Sequence, residues 1–186
     1  NNIRQKDGQE LKIEVITTKG DELERTLEAI SGQWRLLGMT IETKVIDPAN
    51  FSQNAIQSVL QARNFDVIIY QFDIGADPDV YAYWHSSQTT FQGFNFSNYS
   101  NPISDDALLS ARSRVEPVLR NAKYITFAKQ WLADVPAIGL FQSTAQYVTG
   151  DDVHSIDDSA VLISSFDRYS NVFDWSVGSR SVYKTP

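Results

Sequence analysis

The feature that most constrains the fold is a change of hydrophobic period that is repeated along residues 11–72. In 11–17 apolar residues alternate with polar ones, as in a half-buried strand, whereas in 20–38 they recur every three or four residues, as on one helix face. A second strand-type and helix-type pair follows at 39–47 and 48–64, and 65–72 is a third, almost wholly apolar strand-type run. Three strands alternating with two helices predict right-handed crossovers and a parallel sheet.

Local signals predict where the helices and the remaining strands lie. Asp21 with Glu24 has the form of a capping box, and Gly38 stands where the first helix should stop. Farther along, helices are predicted from Ser104 to about Ser113 and from Glu116 to Ala133. Short strands are predicted at 137–142, 146–148 and 172–177, and residues 153–186 form a tail without a clear pattern.

The loop after the third strand, "DIGADPD", lies where ligands meet open parallel sheets, beyond the carboxyl ends of the strands. Asp77 and Pro78 predict a helix start, with Asp at the N-cap and Pro at the first helical position. Asp79 in the first turn favours the helix dipole. These three residues therefore have sufficient structural roles.

The preceding residues are the candidates for ligand contact. Gly75 has the backbone freedom that a sharp turn beside a ligand needs. Asp73 either faces a cleft or is simply solvated, and the pattern alone leaves both open. The candidate ligand-binding residues of this stretch are Phe72, Asp73, Ile74 and Gly75.

Residues 72–99 are unusually rich in aromatic side chains, interleaved with Asn and Gln. Core packing explains many aromatic residues, but a cleft lined by aromatic rings and a few adaptable polar groups is also how proteins bind small molecules. Asn95 is the candidate polar contact in this segment.

Composition and motifs argue against several function classes. The net charge is −7 and the 16 Lys and Arg residues form no basic stripe, so a nucleic-acid partner is not expected. The sequence has no Cys, no HExxH-type histidine pair and no D-x-D-x-D-G calcium pattern, so no metal site is predicted. Phosphate-binding glycine loops are absent as well, and we expect no cofactor.

Four segments in order carry a family resemblance: "WRLLGMTIETKVID", "FDVIIYQF", "NFSNYSNPISDDALLSAR" and "RNAKYITFAKQWLADVPAIGLF". Together they resemble the C-terminal lobe of extracellular solute-binding proteins of the dipeptide, oligopeptide and nickel type, bacterial solute-binding family 5. The resemblance runs from about Gly8 to Asp152, and its most specific pieces are "LGMTIE", Asp77-Pro78 and "NYSNPISDDAL".

The resemblance implies an α/β fold, one lobe of the type II periplasmic-binding-protein kind, with a parallel βαβαβ core and extra C-terminal helices and strands. It implies that residues 1–186 are a single lobe of a longer, two-lobed protein whose N-terminal lobe is missing from this sequence. Such a protein binds a peptide or another small solute between its lobes and delivers it to ABC permease subunits. We therefore expect a non-catalytic protein, periplasmic or extracellular, anchored to the membrane by an upstream lipid signal.

Peptide-binding relatives place an aromatic residue and then an Asp before the "DP" or "EP" pair, and that Asp holds the peptide amino group. Counting back from Pro78 puts Ile74 at the position of this Asp, with Asp73 one residue away and Phe72 in place of the aromatic residue. Two alternatives from other classes stay open: a hydrolase or transferase lobe in which Asp73 works with a second carboxylate, and a ligand-sensing domain of the same fold.

Overall fold

The computed structural model describes residues 3–47, 49, 56–72, 74, 77–142, 144, 148–154 and 166–178. The chain divides into two compact units. The first comprises Asn1–Phe72 and Pro78–Ala137, and the second comprises Asp73–Asp77 and Ile138–Pro186. Asp73 and Gly75, two of the predicted ligand contacts, lie outside the described residues.

A small hairpin precedes the sheet. Strands β1 (Gln5–Lys6) and β2 (Gln9–Glu10) pair antiparallel, and Asp7 and Gly8 between them have φ angles of 54° and 81°. Two positive φ angles are the mark of the tight turn that Asp-Gly favours between strands. This hairpin was not among the predicted elements.

The central sheet has three parallel strands, β3 (Lys12–Thr18), β4 (Thr40–Ile46) and β5 (Val67–Ile69), in the order β4-β3-β5. The predicted parallel sheet is confirmed. However, β5 is three residues long, much shorter than the predicted run 65–72, because its pairing with β3 ends at Ile69. Tyr70 to Phe72 therefore extend past the carboxyl edge of the sheet.

Helix α1 (Asp21–Leu36) covers one face of the sheet, with Leu27 buried against Val15, Ile41 and Ile69. The predicted capping box is half wrong. Gly20, not Asp21, occupies the N-cap, and only the Glu24 half forms, with its Oε1 accepting from the Gly20 N–H at 3.1 Å.

The opposite face of the sheet is covered by a π-helical segment, Ile56–Gln61. Val59 and Leu60, within the predicted helix-type run 48–64, are buried there against Ile16 and Ile46. The start of that predicted helix, with Phe51, lies outside the described residues.

Three helices complete the first unit: α2 (Tyr81–Trp84), α3 (Pro102–Ser113) and α4 (Pro117–Asp134). The α3 start predicted at Ser104 is wrong, because the Asn101 side chain caps the helix by accepting from the backbone N–H groups of Ile103 and Ser104. The predicted start of α4 at Glu116 is confirmed within one residue, since Glu116 is its N-cap. These helices share a second core around the fully buried Leu108.

The helix start predicted at Asp77-Pro78 is also wrong. Helix α2 begins at Tyr81, and it is Asp79 Oδ1 that accepts from the Tyr81 N–H at 3.1 Å. The other oxygen of Asp79 pairs with Arg112 Nε on α3 at 2.8 Å. Val80 is the N-cap of α2, and Asp79, one residue earlier, links the start of the helix to α3.

In the second unit, strands β6 (Val153–His154) and β7 (Ser176–Val177) pair antiparallel. Between them, Asp167–Tyr169 and Val172–Asp174 are 3₁₀ turns, so only the end of the predicted extended segment 172–177 is a strand. The strand predicted at 137–142 is wrong, and of 146–148 only Val148 is described, outside any strand. Within the described ranges, no helix is long and apolar enough to cross a membrane.

Candidate functional site

Five aromatic side chains form a connected surface at the carboxyl end of β5, and we call it the aromatic shelf. The Phe72 and Tyr83 rings stack with centroids 4.5 Å apart, and Tyr70 meets Phe96 edge to face at 5.3 Å. Phe94 lies 6.3 Å from Phe96 and 6.4 Å from Tyr83. The shelf thus consists of Tyr70, Phe72, Tyr83, Phe94 and Phe96.

The hydrophobic core of the sheet and that of the helices both contact the shelf. Phe96 packs against the core of the sheet around Ile16, and Tyr83 packs against the helical core around Leu108. Tyr70 and Phe94 keep 37% and 52% of their surface exposed. Rings that are held at one side and exposed at the other provide a preformed apolar surface.

The shelf carries no charge of its own. Burial raises the pKa of the Tyr70 hydroxyl above its ordinary value of 10.0, so this group stays protonated and neutral at physiological pH. The other rings are Phe and a second Tyr. Such a surface is suited to an apolar or planar part of a molecule, with a polar rim supplied by other groups.

Asn95 lies between Phe94 and Phe96 in the loop 86–96, and its side chain is fully buried. Its Nδ2 donates to the carbonyls of His85 and Tyr99 at 3.1 and 2.9 Å, and its Oδ1 accepts from the Tyr99 N–H at 3.1 Å. The amide thus bonds to residues on both sides of the loop, His85 before it and Tyr99 after it, and this gives Asn95 a clear role in holding the loop. Its predicted contact with a ligand stays a prediction.

Arg63, which precedes β5, also holds the loop 86–96 through hydrogen bonds. Its guanidinium donates to five backbone carbonyls at 2.9–3.4 Å, and its own backbone adopts a left-handed φ of 53°. Burial lowers the pKa of Arg63 from its usual value. The five acceptors belong to Gln61, Gln88, Thr90, Gly93 and Asn95. Sequence reasoning missed Arg63, because nothing in its neighbourhood distinguishes it from a solvated arginine.

An ion pair joins two neighbouring strands at the same edge of the sheet. Lys19, directly after β3, places its Nζ 2.7 Å from Asp47 Oδ2, directly after β4. The hydrogen bond and the charge of Asp47 raise the pKa of Lys19 above its ordinary value. Asp47 also accepts from the Ala49 N–H at 2.9 Å, so its carboxylate has two partners.

The alternative of a carboxylate pair with Asp73 stays open, because Asp73 lies outside the described residues. A different set of hydrolase-type side chains, His85, Ser86 and Asp105, does lie together. A Ser-His-Asp relay needs the serine hydroxyl to donate to a histidine nitrogen. Here Ser86 Oγ donates to Asp105 Oδ2 at 2.5 Å, and His85 Nδ1 accepts from the Ser87 backbone N–H at 3.0 Å. These groups cap the turn 86–89 and are not arranged as a relay.

Of the predicted contacts, Phe72 is half-buried within the shelf, and Ile74, in the second unit, is 49% exposed. Tyr70 was not among them, because it precedes the aromatic-rich segment 72–99. The sequence signal that could have identified Tyr70 is its position near the end of the apolar run 65–72, where the strand reaches the edge of the sheet. In the described part of the chain, no group of three or more acidic or histidine side chains is arranged to hold a metal ion.

No protein-family model matches the sequence, and no curated protein sequence matches it either. Solved structures do match. AppA, the oligopeptide-binding protein of Bacillus subtilis in complex with a nonapeptide, is 19% identical with a TM-score of 0.66, over 96% of this chain and 34% of that chain. NikZ from Campylobacter jejuni, in complex with Ni(L-His), is 22% identical with a TM-score of 0.63, over 92% of this chain and 34% of that chain.

A nickel ABC transporter structure from Bacillus halodurans is 20% identical with a TM-score of 0.59, over 73% of this chain and 28% of that chain. The chain therefore spans about a third of the length of the first two structures. At these identities the likeness concerns the fold. It confirms the predicted fold class, a mixed α/β fold with a parallel sheet that matches one lobe of periplasmic binding proteins.

Proposed function

We propose that the chain is one lobe of the substrate-binding component of an ABC importer, a member of solute-binding family 5, and that it binds a peptide or another small solute. Two lines of support meet here. The fold is shared with proteins solved with a nonapeptide and with Ni(L-His), and four sequence segments in order resemble that family.

The observation that carries the proposal is the aromatic shelf. It stands at the carboxyl edge of a parallel sheet, where ligands bind in open α/β folds. Tyr70 follows the last residue of β5 directly, and Phe94 presents about half of its surface to solvent. We assign to this shelf the apolar or planar part of the cargo.

From the sequence we further propose cargo contacts at four consecutive residues, Phe72, Asp73, Ile74 and Gly75. Phe72 contributes its ring to the shelf. Asp73 is the proposed partner for a cationic group of the cargo, in place of the acid that relatives carry at the position of Ile74. Asn95 acts on this site by holding the loop beneath Phe94.

The proposed mechanism is hinge closure without catalysis or a cofactor. A second lobe, absent from this sequence, supplies the other half of the contact surface, and cargo shifts the equilibrium from open to closed forms. The permease subunits then recognise and bind the closed form. Such a protein works outside the cytoplasmic membrane, in the periplasm or at the cell surface, held by an upstream lipid anchor.

The test is to identify small molecules that co-purify with the full-length protein carrying this chain, by mass spectrometry after denaturation. We expect one class of small solute in the wild type and about three- to tenfold less of it in Phe94→Ala, which removes a ring from the shelf. Phe173→Ala is the matched control, since that ring is almost wholly exposed in the second unit. Equal recovery from wild type and Phe94→Ala would contradict the proposed site.

A further inference from the structure

The outer edge of β4 is unpaired within the described ranges, where β3 is its one neighbour. Four consecutive residues of this strand, Glu42 to Val45, are exposed. An edge strand offers a row of free backbone N–H and C=O groups, which makes it a template for another strand unless charge or shape prevents pairing.

The sequence of β4, "TIETKVI", is complementary to itself when read antiparallel about Thr43. In that register Glu42 faces Lys44 of a second copy, and Ile41 faces Val45 of a second copy. Opposite charges and apolar pairs directly across an antiparallel ladder are stabilising. Glu42 is already 2.7 Å from Lys12 through Oε1, which leaves Oε2 for the second copy.

We propose that two copies of this chain associate through their β4 edges about a two-fold axis at Thr43, so that three strands from each copy form one continuous sheet. The interface is isologous, because the same surface serves both copies. This inference does not depend on the proposed transport function.

Helix α1 has a charge pattern that fits the same axis. Between α1 and β4 lies an open groove of about 580 Å³, lined in part by Asp21, Glu28 and Arg35. Arg35 donates to the Ile41 carbonyl near the start of β4, whereas Asp21 begins the helix after the turn that follows β3. The midpoint of α1, Glu28, therefore lies level with the midpoint of β4. A two-fold axis there sets Asp21 of one copy opposite Arg35 of the other.

The spacing of the two α1 helices is also suitable. α1 packs against β3 and β4 in equal measure and against β5 to a lesser extent. Neighbouring strands are about 4.8 Å apart, so joining two β4 edges puts the helix axes roughly 10–12 Å apart. Packed helices are separated by about 8–10 Å. Gly32 lies on the same side of α1 and has no atom within 4 Å of the position of a Cβ, which leaves room for the neighbouring helix.

One feature of this arrangement is unfavourable. The Glu28 side chains of the two copies lie next to each other at the two-fold axis, and their like charges repel. Arg25, one turn earlier on the same face, lies beside the pair and offsets part of the repulsion. Glu28→Gln is therefore expected to strengthen association severalfold.

The test is sedimentation of the wild-type protein over roughly 1 µM to 1 mM, where weak dimers are detected. Lys44→Glu sets two acidic side chains opposite each other, because position 44 faces Glu42, and it is expected to raise the dimer dissociation constant at least about tenfold. Glu42→Lys does the same with two basic side chains. An equimolar mixture of these two variants restores complementarity and is expected to form heterodimers. Lys129→Glu, on the exposed side of α4, is the control for net charge.

Circular dichroism establishes that each variant is folded, and Glu28→Gln tests the axis from a residue outside the strand. A wild type that stays monomeric over the whole range overturns the proposal. So does a mixture of the two charge variants that stays monomeric, or an equal effect of Lys44→Glu and Lys129→Glu. The proposal is supported if the mixture forms heterodimers while neither charge variant dimerises by itself, and if Glu28→Gln associates more tightly than the wild type.

Discussion

Tyr99 donates a hydrogen bond from its hydroxyl to Asp134 Oδ2 over 2.8 Å, which links the loop before α3 to the last residue of α4. The same carboxylate accepts from Gln130 Nε2 at 2.9 Å and from Asn101 Nδ2 at 2.7 Å. The bonds from Gln130, Tyr99 and Asn101 hold the pKa of Asp134 below its ordinary value of 3.8. The end of α4 is thus fastened by a charged acceptor.

The first prediction concerns acid stability. Because the folded-state pKa of Asp134 is depressed, its contribution is fully present above the unfolded value and is lost as pH falls through the folded value. We expect Asp134→Asn to be less stable than wild type near neutral pH, with a difference that shrinks at acid pH. Urea unfolding at a series of pH values measures this difference. Tyr99→Phe removes only one of the three hydrogen bonds to Asp134, so its stability should depend less on pH than that of Asp134→Asn. A difference that is constant over the acid range would contradict the assignment.

The second prediction concerns Arg63. Lysine cannot reproduce the planar fork that serves five carbonyls, so Arg63→Lys should lose about 1.5–3 kcal/mol of stability. Hydrogen exchange should rise in the loop 86–96 more than elsewhere. Arg114→Lys, at an exposed position, is the matched control. Equal stability of the two variants would show that the carbonyl contacts contribute nothing.

The third prediction compares two glycines of the α1 region. Gly32 lies inside the helix with open space at the Cβ position, so Gly32→Ala should stabilise the protein by roughly 0.5–1 kcal/mol. Gly38 has a φ of 85°, which favours glycine, so Gly38→Ala should destabilise it. Thermal unfolding measures both. Two shifts of the same sign would be inconsistent with these conformations.

The fourth prediction uses neighbouring leucines of α3. Leu108 is fully buried in the helical core, whereas Leu109 is 57% exposed. Leu108→Ala should lose about 2–5 kcal/mol, and Leu109→Ala should change stability by less than about 0.5 kcal/mol. Chemical denaturation of both variants gives the comparison. Similar losses would mean that α3 packs through a different face.

The sequence predicted the elements whose signals repeat. The spacing of Leu23, Leu27 and Ile30 predicted α1, and the alternation in 11–17 predicted β3. Burial of one face requires an apolar residue at every turn of a helix or at every second position of a strand. The first hairpin also has a sequence signal, the Asp7-Gly8 pair, because both residues tolerate the positive φ angles of a tight turn.

Element ends and the site were less predictable, because they depend on residues distant in sequence. Asp79 accepts from the first backbone N–H of α2 while paired with Arg112, which lies 33 residues later. Likewise, Tyr70 joins the shelf through Phe96, and the bonds from the Asn95 amide to the carbonyls of His85 and Tyr99 have no signal in the sequence. Such contacts appear only once the chain has folded.

The central claim is that this chain is one of two lobes that close on a cargo. The most direct test is the affinity of the co-purified small molecule, measured by calorimetry for the full-length protein and for residues 1–186 alone. We expect one site in the full-length protein and an affinity at least about 100-fold weaker in the isolated chain, since half of the contact surface is missing. Equally tight, stoichiometric binding by residues 1–186 alone would contradict the two-lobe account.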